Sequence, residues 1–87
     1  MENNQFYEAL GFVKVSPVRK KTLKALGDGL KMPSEIGREI DIRTNQVSSA
    51  LLKLRDKNVV VCVNEEATKG RLYKCTPLGL EVLKYID

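Results

Sequence analysis

The chain has 87 residues, 30% of them charged and 43% hydrophobic, and its 15 Lys plus Arg against 11 Asp plus Glu give a net charge of +4. A chain of this length makes one small domain that buries only about 60–65% of its unfolded surface, which excludes a two-domain enzyme with a deep cleft. It also holds no His, the side chain that most readily moves protons near neutral pH and the commonest metal ligand, while its apolar content is too high and too regularly spaced for a disordered tail.

The opening Met1-Glu2-Asn3-Asn4-Gln5 has neither the basic region nor the apolar run of a signal peptide. No apolar stretch approaches the ~18–20 residues of a membrane helix, so a cytoplasmic protein with no membrane partner is expected. Residues 3–10 read as a helical turn or two, followed by Gly11 and the apolar run Phe12-Val13-Lys14-Val15. Ser16-Pro17 is a strong helix start, because Ser caps orphan N–H groups and Pro at the first helical position has no N–H to lose. Leu23, Leu26 and Leu30 follow at spacings of three and four, and Gly27 and Gly29 end the helix.

Met32-Pro33-Ser34-Glu35 starts a short helix with Ile36 and Ile40 inward and Gly37 allowing close approach of a second helix. Asp41-Ile42-Arg43 reads as a three-residue turn. From about Thr44 to Lys57 a longer helix carries Val47, Ala50, Leu51 and Leu54 at i, i+3, i+4 and i+7, one full apolar stripe. Asn58 suits the left-handed cap that follows. The period then changes from helical to alternating. The β-branched run Val59–Val63, the polar loop 64–70 and the alternating Arg71–Cys75 read as a β-hairpin, and Thr76-Pro77 opens a last helix carrying Leu78, Val82, Leu83 and Ile86 to the C-terminus.

A short helix, a tight turn and a longer helix with a polar outer face form a helix-turn-helix pattern, and the hairpin directly after it makes a winged helix. The expected fold is therefore α+β and mostly helical, a three-helix core plus a β-hairpin wing and a C-terminal helix. It divides into a lead-in over 1–15, a winged-helix core over 16–76 and the C-terminal helix over 77–87. A B-DNA major groove about 12 Å wide accepts one helix that keeps its apolar stripe for the core and turns short polar side chains to base edges. Thr44, Asn45, Gln46, Ser48 and Ser49 are such residues, and none is acidic. They are also poorer helix formers than the Lys and Glu of an ordinary solvated face. Arg43, Lys53, Lys57, Lys69, Arg71 and Lys74 surround them; of these Arg43, Lys53, Lys69 and Arg71 are the candidates for phosphate and wing contacts. Glu65 and Glu66, on the rising side of the wing, oppose its deep insertion.

Five segments in this order resemble the winged-helix transcriptional regulators of the ArsR/MarR-like superfamily, especially small archaeal-type members. They are Ser16-Pro17-Val18-Arg19-Lys20-Lys21, Pro33-Ser34-Glu35-Ile36, Val47-Ser48-Ser49-Ala50-Leu51 through Leu54, Gly70-Arg71-Leu72-Tyr73 and Thr76-Pro77-Leu78-Gly79. The resemblance covers about residues 12–86. It implies double-stranded DNA as partner, the helix from Thr44 as recognition helix, Lys69 to Arg71 as wing tip and the terminal segments as a dimer surface. The chain departs from the metal sensors of that group, whose Cys or His ligands stand on the recognition or terminal helices; both cysteines here fall on the hairpin. Asn58 replaces the Gly common at its turn, and Thr22 stands where such helices are apolar.

Two isolated thiols with no His and no C-x-x-C pair cannot complete a four-ligand zinc site, so neither metal nor cofactor is expected. With the hairpin closed around 64–70, Cys62 lies opposite about Leu72 or Tyr73, and the offset of Cys75 strains any bridge between them. Both thiols are expected free, in the core. Catalysis is disfavoured as well: Ser48-Ser49 has no base beside it, and no Gly-rich phosphate loop exists. The alternative is a winged helix used as a protein-interaction or RNA-binding module, for which Leu52 is the lone large apolar candidate on the third helix. Phe6, Tyr7, Phe12, Leu83, Tyr85 and Ile86 gather near the chain ends and are the candidates for a homodimer seam.

Overall fold

In the computed structural model, which describes residues 2–86, five helices and one hairpin follow in order. They are α1 (Glu2–Lys14), α2 (Pro17–Leu26), α3 (Pro33–Ile40), α4 (Thr44–Asp56), β1 (Val60–Cys62), β2 (Tyr73–Cys75) and α5 (Pro77–Leu83). The molecule is α+β and mostly helical. Among the described residues no helix is long and apolar enough to cross a membrane.

The lead-in differs from its expectation, because α1 runs unbroken through Gly11. A mid-helix glycine costs about 1 kcal/mol relative to Ala, whereas burying one Val side chain returns roughly 1.5–3 kcal/mol. Ala9 and Val13 are both buried against the rest of the core, with Phe6, Leu10 and Phe12 half-buried beside them. Packing against α2 and α5 thus outweighs the local break.

α2 starts as its residues dictate: Ser16 Oγ accepts from the Arg19 N–H at 3.3 Å, with Pro17 in the first turn. Its buried side chains are Thr22, Leu23 and Leu26. Leu30, expected on that stripe, lies past the helix and is exposed, because Gly27 turns the chain at φ 54°.

α3 and α4 are joined by the three residues 41–43, with Asp41 left-handed at φ 59°. Gly37 is required there, since a Cβ would stand 2.6 Å from the Ile42 carbonyl oxygen. Val47, Ala50, Leu51 and Leu54 are all buried, and Asn58 takes the left-handed conformation at φ 63°.

β1 and β2 pair antiparallel with Cys62 opposite Tyr73 and Cys75 opposite Val60, both cysteines free and buried. The strands are shorter than the expected runs, although Val63 N–H still donates to the Leu72 carbonyl. A further pairing was invisible in the sequence: Lys31 bridges Tyr73 from the other side through two backbone hydrogen bonds. The last helix also ends early, at Leu83. Tight turns from Glu81 and Val82 carry the chain round, so that Ile86 enters the core rather than extending the helix.

Candidate nucleic-acid interface

α4 turns its buried stripe to the core and three other lines of residues outward. At 100° per residue, Asn45, Ser49, Leu52 and Asp56 lie along the outermost line, and all four are exposed. Thr44, Ser48 and Leu52 face the hairpin loop across a groove of about 430 Å³. Gln46, Ser49 and Lys53 face the start of α2 across a shallower depression of about 190 Å³.

Of the five base-contact candidates, Thr44, Asn45, Gln46 and Ser49 are exposed on the first two turns of α4, while Ser48 is half-buried in the wall of the larger groove. The outer line is polar only in that N-terminal half. Leu52, 42% exposed, and then the carboxylate of Asp56 follow it. Asp56 puts the one acidic side chain of α4 at the far end of this line, while Lys53 and Arg55 stand in the same last turn.

The basic candidates divide by position. Arg43 is exposed at the N-cap of α4, beside Arg38 and Asp41 at the interhelix turn. Lys69 is exposed at the hairpin tip, on the rim of the groove that Thr44, Ser48 and Leu52 line. Arg71 shares that rim but is half-buried, and its Nε donates to the Ala67 carbonyl at 2.9 Å, so it also fixes the loop's shape. Lys53 lies on the opposite flank of α4.

Asn64 organises this loop more than any candidate named from the sequence. Its Oδ1 accepts from the Leu72 N–H at 2.8 Å, and its Nδ2 donates to the Gly70 carbonyl at 3.2 Å. An Asn opening a polar loop was the available signal, since its amide satisfies local backbone groups. Glu65 lies 3.7 Å from the Arg55 guanidinium, which partly offsets the charge that opposes wing insertion.

The seam candidates do not form one surface. Phe6 meets Tyr7 and Tyr85 edge-on, at centroid distances of 5.2 and 5.5 Å. Tyr7 and Tyr85 are 64% and 57% exposed, and Leu83 is half-buried. Ile86 is 3% exposed and belongs to the chain's own core, so it has no surface to offer a partner. Phe12 is engaged elsewhere: the Arg19 guanidinium lies 3.7 Å from its ring centroid and the Lys57 ammonium 5.4 Å.

Burial, and secondarily the Asp28 carboxylate, pushes the Cys75 thiol from the ordinary 9.0 up to about 11. It stays protonated at neutral pH and supplies no thiolate nucleophile. Among the described residues no three His, Cys, Asp or Glu side chains gather where they could share a metal ion. No protein-family model matches the chain, and no curated protein matches it.

Proposed function

We propose that the chain is a winged helix-turn-helix transcriptional regulator that binds double-stranded DNA as a homodimer in the cytoplasm, without metal, cofactor or catalytic activity of its own. α4 is the recognition helix and enters the major groove by its N-terminal half, and the loop at 64–70 is the wing that meets the backbone or the minor groove. The observation that supports this reading is the N-terminal half of α4: exposed amide and hydroxyl side chains opposite a buried apolar stripe, with cations on both flanks. Asn45 and Gln46 suit the paired N6 and N7 groups of adenine, and Thr44, Ser48 and Ser49 suit bases or phosphates.

Selection of bound duplexes from a random pool at fixed salt tests it directly. A preferred sequence is expected, and Asn45→Ala or Gln46→Ala costs about 1–3 kcal/mol on that sequence and little on random DNA. Arg43→Ala, Lys53→Ala and Lys69→Ala weaken both alike. A pool that yields no preferred duplex overturns the assignment.

A second reading, a protein-interaction module, is favoured by one observation. Leu52 shares its groove with Met32, Pro33 and Tyr73, an apolar floor beneath a cationic rim. Leu52→Ala separates the two, since it removes the main anchor for a protein partner and leaves the polar start of α4 intact.

A further inference from the structure

Phe12, Arg19 and Lys57 meet at one ring, although they come from α1, α2 and the residue that caps α4. The Arg19 guanidinium stacks on the ring at 3.7 Å and is held there by a hydrogen bond of 2.8 Å from its Nη1 to the Phe12 carbonyl. The Lys57 ammonium reaches the same ring at 5.4 Å. One turn back along α4 from Lys57, Lys53 lines the depression that Arg19 also lines.

None of these three cations forms an ion pair among the described residues. Among the described residues, Glu39 pairs with Lys31, Glu65 with Arg55 and Glu81 with Lys84, none of them at the Phe12 ring. The distinction is electrostatic. A carboxylate would hold Arg19 and Lys57 in place by cancelling their charge, whereas an aromatic face attracts cations through its quadrupole and leaves the net charge intact. The ring thus gathers two positive charges and cancels neither, with Lys57 exposed and Arg19 half-buried. Gathering like charges is unfavourable in the isolated protein, and an anion laid across them reverses the sign.

Resting on the DNA-binding function proposed above, we infer that Arg19, Lys53 and Lys57 form a second phosphate-binding strip. It runs along the flank of α4 opposite the hairpin and holds the backbone of one strand of the duplex. A helix seated in the major groove lies between two backbones. The hairpin flank, with Lys69 and Arg71, serves one of them, and the Phe12-centred strip serves the other. Neither Arg19 nor Lys57 adjoins the base-facing residues in the chain, and only the three-dimensional arrangement joins them to Lys53.

The test is the salt dependence of duplex binding by the full chain, measured for Arg19→Gln, Lys57→Gln and the double substitution, with Lys84→Gln as a control away from the strip. Each phosphate contact removed lowers the slope of log affinity against log salt by about one unit, and the double variant by about two, for preferred and random duplexes alike. Lys84→Gln leaves the slope unchanged. Wild-type binding with slopes unchanged in the strip variants overturns the strip and leaves the DNA-binding function standing; a wild-type chain that binds no duplex overturns both. Arg19 also packs on Phe12, so thermal unfolding accompanies each variant, and the exposed Lys57 decides the matter if Arg19→Gln fails to fold.

Discussion

Thr22 is completely buried in α2, and among the described residues its Oγ1 has no hydrogen-bond partner. A buried hydroxyl left unsatisfied costs about 1–3 kcal/mol, whereas an apolar group of the same shape carries no such penalty. Thr22→Val is therefore expected to raise stability by about 1 kcal/mol in urea unfolding; equal or lower stability would mean that the hydroxyl is satisfied in solution. The residue thus fills a core position with the wrong chemistry, where the sequence pattern calls for an apolar side chain. Cys75 is its counterpart with the right chemistry. A protonated thiol behaves as a small apolar group, and one with its pKa pushed up to about 11 does so throughout the neutral range.

At the scale of elements, two close approaches fix how the helices sit. The Gly37 site brings α3 against the turn into α4, and at Gly79 a Cβ would overlap the Val59 carbonyl, which locks α5 to the start of the hairpin. Gly37→Ala forces backbone to move and is expected to cost about 1–3 kcal/mol in the same unfolding measurement, and an unchanged midpoint would contradict the tight turn. Gly37 was legible as a close-approach residue, as were the apolar stripe of α4, the Ser16 cap and the left-handed Asn58, because each is written in local spacing or in the chemistry of one residue. The continuation of α1 through Gly11, the bridge from Lys31 to Tyr73 and the inward turn of Ile86 were not legible. Each is decided by what a distant element buries or pairs with. The same division holds for the site. The polar start of α4 could be read from i, i+4 spacing, but the meeting of Arg19 and Lys57 on Phe12 joins three separate elements and leaves no periodic trace.

At the scale of the whole molecule, α1 serves two surfaces. Its C-terminal end carries Phe12, the ring on which Arg19 of α2 and Lys57 at the cap of α4 meet, while Phe6 and Tyr7 near its N-terminal end join Tyr85 in an aromatic cluster with two exposed rings. The seam of the proposed homodimer is accordingly expected to be narrower than the chain-end aromatics imply, centred on Phe6, Tyr7 and Tyr85 with Leu83 at its edge and without Phe12 or Ile86. Exposed Tyr rings bring large apolar area to an interface and keep a hydroxyl for its wet rim. The proposed symmetric dimer, if joined there, is expected to read half-sites about 34 Å apart, one turn of the duplex. Sedimentation is expected to give twice the mass of one chain at high micromolar concentration. Tyr7→Glu with Tyr85→Glu, which buries like charges at the seam, is expected to give a folded single chain whose DNA affinity falls and loses its dependence on protein concentration. Arg19→Gln with Lys57→Gln should leave the mass unchanged, because the strip lies at the other end of α1. A wild-type chain that sediments as a monomer at that concentration rules out the seam, and the half-site spacing then has to come from two chains that meet only on DNA.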